Sequence, residues 1–315
     1  MSAKVSIIVP IYAVENYIER CANSLFAQTL DSIEFIFIDD CTPDRSMEVL
    51  NVAIENNRPR FTGMNWNVLI ERMPMNSGLA AVRRRGIQLA SGEYTIHCDS
   101  DDWVDCDICR LLYQQAKKEN ADIVICDFYK VTENTQKHIQ GCNRTDKEGL
   151  IKDLLTERTS WSVCNKIIKT TLYRENDIVF PEDNMGEDMA LVMQLMLKAK
   201  RISYLPQPLY YYYYNPASIS HQPSVDAVFR RYQHLLNNTR IVLSSFVDSG
   251  LDSEYETELQ LLKWNVCSSL CPITRHRKYR AIWRNTFPEI FPSILFSPFL
   301  KVSDKLRIIL ILLMR

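Results

Sequence analysis

The sequence predicts an α/β protein: a mostly parallel central sheet flanked by helices, with a helical region appended at its C-terminal end. Three observations carry the prediction. Over the first hundred residues, short apolar runs alternate with segments of helical spacing. Those runs close on polar clusters, as buried parallel strands do at the edge where ligands gather. Beyond about Ser224 the strand pattern stops and long helical periodicities replace it.

The elements follow in order. Val5–Pro10 is a buried strand, and Val14–Gln28 has helical spacing through Ile18, Cys21, Ala22, Leu25 and Phe26. Ile33–Ile38 is a second strand that closes on Asp39 and Asp40, with Asp44 opening a helix through Met47 and Leu50. Asn67–Glu71 is a third strand. Gly78–Ala90 is a helix stopped by Ser91-Gly92, and Tyr94–Cys98 is a fourth strand ending at Asp99. A helix from Asp105 to Lys118, a strand at Asp122–Tyr129, a loop or edge hairpin at Thr132–Asn143 and a helix at Asp146–Thr156 come next. Ser162–Lys169 reads as a short strand or turn, Glu175–Glu187 as a loop and Asp188–Lys198 as a helix. Ile202–Leu205 and Leu209–Tyr214 are extended, and the latter ends in five consecutive tyrosines. Helices at Val225–Phe246 and Ser253–Cys271 precede a tail broken by Pro288, Pro292 and Pro298.

Bulk properties narrow the function. With 315 residues and 46% hydrophobic content, the chain has room for one main domain, 1–222, and a helical region, 223–315. A formal net charge of -1 argues against a general polyanion binder, so no nucleic-acid partner is expected. The charge is uneven: residues 272–315 hold nine Lys/Arg against two Asp/Glu, which would steer that tail toward an anionic surface. No leader precedes Val5, so the ten cysteines are expected to be reduced and buried in a cytoplasmic protein. Cys106 and Cys109 have CxxC spacing but no second pair at zinc-finger distance. The apolar run Ile308–Met314 is far shorter than the roughly 20 residues that span a bilayer. The glycine fingerprints of dinucleotide and P-loop sites are missing.

Four polar groups fall at strand ends that share one crevice: Pro10 to Tyr12, Asp39-Asp40, Glu71 onward, and Asp99 to Asp102. Crowded carboxylates repel one another unless a cation is present, and hard divalent ions take oxygen ligands that they share with substrate phosphates. Asp99 and Asp101 therefore point to Mg²⁺ or Mn²⁺, the alternative being a helix cap by Asp102 or Asp105. The loop Asn76–Ala80 has small residues and N–H groups suited to an anion, and Arg83 offers a fork to a phosphate or to a strand-end carboxylate. Glu187 and Asp188 begin an apolar helix, either as caps or as a general base for an incoming hydroxyl. His221, just after the tyrosines, could reach a diphosphate or the metal, whereas His97 sits inside a strand and is expected to pack. Trp161 is expected to pack as well, and Lys166 to place a charge near an acceptor or phosphate.

Taken together, Val5-Ser-Ile-Ile-Val-Pro-Ile-Tyr12, Ile38-Asp-Asp-Cys-Thr-Pro-Asp44, Asn76-Ser-Gly-Leu-Ala-Ala-Val-Arg83, Asp99-Ser-Asp-Asp102 and Gly186-Glu-Asp188 resemble the family 2 glycosyltransferases of bacterial polysaccharide biosynthesis. The ordered motifs cover roughly residues 4–222. The resemblance implies a GT-A fold with a nucleotide-binding half at about 1–105 and an acceptor half at about 106–222. It implies inverting transfer of a sugar from a nucleotide-diphosphate donor, commonly a UDP-sugar, to a glycan or lipid-linked acceptor. By the family pattern Pro10, Tyr12 and Glu15 lie by the nucleotide, Asp40 meets the base, and Asp99 sits by the ribose and diphosphate, while Asn76 and Arg83 join them as candidate donor-binding residues. Asp101 holds the metal, and Asp188 is the base with Glu187 as the alternative. The chain departs from the pattern at Ala13, where Asn is usual, at Cys41-Thr42, where Gly-Ser is usual, and at Arg84, where Asn is usual.

Two other classes remain open at this stage. One is a Mg²⁺-dependent nucleotidyltransferase, which would release pyrophosphate. The other is a non-catalytic sugar-nucleotide or glycan-binding module. The basic tail adds an expectation of peripheral contact at the inner face of the cell membrane, near a lipid-linked acceptor.

Overall fold

The structure, a computed structural model, describes residues 3–142, 144, 146–215 and 224–313. Among the described residues nine strands form one sheet. They are β1 (Val5–Ile11), β2 (Ile33–Asp39), β3 (Asn67–Arg72), β4 (Tyr94–His97), β5 (Trp103–Val104), β6 (Ile123–Val131), β7 (Gln136–Ile139), β8 (Lys166–Lys169) and β9 (Ile202–Tyr213). Their order is β3-β2-β1-β4-β8-β6-β9-β5, with β7 paired to β6. The long ladders β1–β2, β2–β3 and β6–β9 are parallel, as is β1–β4. β8 enters antiparallel between β4 and β6, and the short β5 and β7 are antiparallel additions. β1 and β2 are buried along their whole length, which is why they read as unbroken apolar runs.

The first helices cover this sheet. α1 (Ile18–Phe26) buries Ile18, Cys21, Ala22, Leu25 and Phe26, and the Phe26 ring meets Phe35 edge-on at 5.2 Å. It starts later than the expected Val14, because Val14–Tyr17 form a turn in which Tyr17 N–H donates to the Val14 carbonyl. α2 (Ser46–Met64) begins beyond Asp44, whose carboxylate accepts from the Ser46 N–H and hydroxyl and from Glu15 N–H. α3 (Leu79–Leu89), α4 (Ile108–Glu119), α5 (Lys147–Leu155), α6 (Thr170–Arg174) and α7 (Glu187–Lys198) complete this part.

Two expectations shift. The sequence predicts no strand between Asp102 and the helix from Asp105, but Trp103-Val104 pairs as β5 with Tyr211 and Tyr210. The two extended pieces after Ile202 are one strand, with an irregular register opposite Cys126–Phe128 that absorbs Pro206, Gln207 and Leu209.

The C-terminal helices are α8 (Val225–Asp248), α9 (Glu256–Leu270), α10 (Arg277–Asn285), α11 (Phe291–Ile294) and α12 (Val302–Leu313). Val242, Phe246, Tyr255, Leu259 and Leu262 of this region join the core around the sheet. A second apolar cluster forms around Trp264, Trp283, Phe291, Ile308 and Ile311.

Candidate active site

Sheet topology assembles the site. β1, β2 and β4 are parallel, so Ile11, Asp39 and His97 close at the same edge. Antiparallel β8 pairs Ile96 with Ile167, which brings Cys164, Asn165 and Lys166 to that edge beside Asp99. α7 starts against the same place. Residues far apart in the chain therefore converge, as the strand-end reading anticipated.

Arg83 is the centre of the convergence. It is buried in α3, and its guanidinium pairs with Asp99 at 2.6 Å and with Glu187 and Asp188. It contacts the Cys164 thiol at 3.8 Å as well. Its fork thus serves carboxylates, the second of the two roles open to it in the sequence. Burial pushes its pKa down, but Asp99 and Asp188 more than offset this and hold it well above the ordinary value. Asp188 also accepts a 3.4 Å hydrogen bond from Val163 N–H. That loop is fixed from below by Lys166, whose ammonium donates to the Ser162 carbonyl and Asn165 Oδ1. Burial pushes Lys166 down to about 8, while Asp188 opposes the shift. Glu187 is enclosed, with 3% of its side chain exposed, whereas Asp188 keeps 30%.

The acids after β4 have separate duties. Asp102 is buried, accepts from the Tyr210 hydroxyl at 2.5 Å and from Tyr213 N–H at 2.7 Å, and so ties this turn to β9. Its carboxyl is pushed well up by burial and then by Asp99 and Asp101. Asp101 accepts from Asn215 at 3.2 Å, and burial followed by the Asp99 charge raises its pKa. Arg20 donates to the Asp101 carbonyl and lies over the Trp103 ring at 3.9 Å. Tyr210 is buried beside the acids, Tyr211 stacks on Trp103, and Tyr212 and Tyr214 are exposed.

These donors fit a hard divalent cation. Asp99, Glu187 and Asp188 share the one cation Arg83, and the Asp99 charge in turn raises Asp101 and Asp102, so acids outnumber the buried cations here. One or two carboxylates that share a cation with substrate phosphates is the usual pattern for Mg²⁺. Asp102 is already committed to β9, which leaves Asp101 and Asp99. His221 lies outside the described residues. Among those described, the acidic and thiol group that does converge is Asp105, Cys106 and Asp107. It is the turn leading into α4, where Asp105 accepts from Asp107 N–H and Asp107 pairs with Arg110.

The remaining expected residues line the other strand ends. Pro10 is buried at the end of β1, Tyr12 is exposed just beyond it, and Glu15 accepts from Arg45 N–H at 3.0 Å. Asp40 accepts from Ser77 N–H at 2.7 Å and Gly78 N–H at 2.8 Å. The Ala80 N–H is taken by Asn184 Oδ1. This corrects the anion-loop expectation: these N–H groups are used to fasten the loop to Asp40 and to the segment before α7. Asn76 is exposed on that loop. Gly78 has φ +83, and a Cβ there would meet Asn184 at 2.7 Å. Glu71 pairs with Arg85 at 2.6 Å. Trp161 packs and donates to the Leu154 carbonyl. His97 is buried as expected, and burial pushes it down to about 3.

Sequence reasoning missed the supports. Asn238 of α8 donates to the carbonyls of Asp183 and Met185, which holds the approach to α7 from the helical region. Gly186 has φ +78, and a Cβ there would meet Leu235 of α8 at 2.9 Å. Nothing in the local sequence around Asn184 or Asn238 marks a contact that spans so much chain.

The profile of Glycosyl transferase family 2 matches residues 6–177. The uncharacterized glycosyltransferase EpsJ of Bacillus subtilis is 32% identical over 267 residues, covering 82% of this chain and 74% of that protein. The crystal structure of S. aureus TarS 1–349 in complex with UDP-GlcNAc superposes with a TM-score of 0.61 at 20% identity, covering 88% of this chain and 83% of that one. A mannosyltransferase from Pyrobaculum calidifontis, in complex with GDP-Man and Mn²⁺, superposes at 0.53 and 13% identity over 99% and 86%. The strand-end acids, the sheet order and the sequence match agree: the chain belongs to glycosyl transferase family 2 and has the GT-A fold.

Proposed function

We propose that the chain moves a sugar from a nucleotide-diphosphate donor, UDP-sugars first among them, to a hydroxyl of a glycan or lipid-linked acceptor with inversion at the anomeric carbon. The observation that carries this reading is the Arg83 bridge, which gathers Asp99 from the end of β4 and Glu187 and Asp188 from the start of α7 into one crevice. The UDP-GlcNAc held by the TarS structure supports the donor class through the shared fold.

In this reading Asp188 is the base. Its exposure favours it over the enclosed Glu187. Asp188 takes the proton of the acceptor hydroxyl, whose oxygen attacks the anomeric carbon from the face opposite the diphosphate. Arg83 and the Val163 N–H orient the Asp188 carboxylate toward the crevice. Asp99 meets the ribose and diphosphate side, Asp40 and Asn76 the base side, and Pro10, Tyr12 and Glu15 the rim of the nucleotide. A Mg²⁺ or Mn²⁺ ion held by Asp101, with His221 as a further ligand, would supply positive charge against the departing diphosphate. The Mn²⁺ in the mannosyltransferase complex supports that choice of ion.

The test is a panel of nucleotide sugars assayed for nucleoside diphosphate release with and without Mn²⁺. Asp188→Asn is expected to keep donor affinity and lose roughly 10²–10⁴-fold in turnover. Full activity in that variant would move the base elsewhere. Pyrophosphate release from a nucleoside triphosphate would favour nucleotidyl transfer, and donor binding without any turnover would favour a binding module.

A further inference from the structure

α12 turns one face inward and leaves the other without cover from the described chain. Ile308 and Ile311 are buried in the C-terminal apolar cluster, and Arg284 donates to the carbonyls of Ile311 and Leu312. Val302 is 73% exposed, Leu310 63% and Leu313 73%, and Leu306 and Ile309 are exposed as well. At about 100° per residue these five fall within an arc of roughly 100°, centred opposite Ile308 and Ile311. Phe296, in the turn leading to the helix, is 86% exposed. An apolar stripe aimed squarely away from the body is not a core face with gaps in it.

Charge names the occupant. On the same wheel Lys305 flanks one side of the stripe and Arg307 the other, Arg307 also pairing with Asp304 at 3.8 Å, and Lys301 lies just before the helix. Residues 272–315 carry nine Lys/Arg against two Asp/Glu. Two copies joined by this stripe about a two-fold axis would press the same cations together. An anionic lipid surface neutralises them and takes up the leucines. The helix has 12 residues, about 18 Å, too short to cross a bilayer and suited to lie in its interface. No helix among the described residues is long and apolar enough to cross a membrane.

We propose that α12 is a docking helix for an anionic membrane: Val302, Leu306, Ile309, Leu310 and Leu313 enter the headgroup–acyl boundary, and Lys301, Lys305 and Arg307 meet lipid phosphates. This gives residues to the membrane side of the acceptor reading above, and rests on that reading only for its biological purpose. Vesicle binding without sugar transfer leaves the docking surface standing. Sugar transfer without vesicle binding removes the docking surface alone.

The test is flotation of the full chain with vesicles of phosphatidylcholine, with and without phosphatidylglycerol. The wild type is expected to float with the anionic vesicles and to be released by salt. Leu306→Ser with Leu310→Ser, both exposed, is expected to weaken binding about tenfold or more, as is Lys301→Glu with Lys305→Glu. Circular dichroism and donor hydrolysis of the soluble variants should be unchanged. No binding to anionic vesicles, or unaltered binding by the leucine variant, overturns the proposal. Equal binding to neutral vesicles overturns its anionic part. A wild-type dimer in sedimentation that the leucine variant converts to monomer assigns the stripe to a second copy instead.

Discussion

Arg83 in α3 and Asp188 at the start of α7 are joined by an ion pair across 105 positions of sequence. The same guanidinium reaches Asp99 and Glu187, so one buried cation sets the spacing of three acids. Breaking a buried pair by removing one partner leaves charge uncompensated. Arg83→Met is therefore expected to cost about 3–5 kcal/mol in urea unfolding. Arg83→Lys restores the charge but not the fork, and should recover part of the stability while turnover stays low. Wild-type stability in Arg83→Met would mean the acids do not depend on this bridge.

Asp101 titrates above the usual carboxylate range because it is buried beside Asp99. A carboxyl whose folded pKa is raised favours the folded state below its unfolded pKa, and that contribution is lost as pH rises through the folded value. Ionising it beside Asp99 is a burden without a cation. Asp101→Asn is expected to raise the melting temperature of the metal-free protein at pH 7. Mn²⁺ with UDP should stabilise the wild type, by about 2.7 kcal/mol at a hundredfold excess over Kd, and leave the variant nearly unmoved. Equal stabilisation of both would remove Asp101 as the ligand.

His97 carries the opposite sign. It is buried among groups that keep it neutral down to about 3, whereas an unfolded histidine takes a proton near 6.5. Its contribution is complete above pH 6.5 and declines as pH falls toward 3. The decline approaches about 1.4 kcal/mol per pH unit for one proton. Urea unfolding at pH 5, 6 and 7 should show a shallower acid decline in His97→Leu than in the wild type. Parallel declines would place the proton uptake in other groups.

Ala13 and Cys41 depart from the family pattern, and both lie in the left-handed region, with φ 54 and φ 56. Asn and Gly, usual at these places, tolerate that region, while other side chains meet the following carbonyl at about 1–2 kcal/mol. Cys41→Gly is expected to gain about 0.5–1 kcal/mol, less the entropy that glycine adds to the unfolded chain. The Cys41 thiol also donates to the Met73 carbonyl, so a net loss in thermal denaturation would show that this contact outweighs the strain.

The sequence by itself determined the α/β alternation, the strand ends that carry the acids and the family. Each of these rests on short-range pattern: apolar runs such as Ile33–Ile38, and the polar residues that terminate them. It placed Asp99 and Asp101 in one crevice and, through the family resemblance, Asp188 as the base, yet left Asp102 as an alternative helix cap and Arg83 between ligand and partner. Only the tertiary structure divided those duties. Asp102 is bound by Tyr210 and Tyr213 through the β5–β9 pairing, and Arg83 is enclosed by acids from β4 and α7. The difference is physical. Periodicity records which face of an element is buried, whereas the partner of a buried charge is set by which distant elements the sheet order brings together.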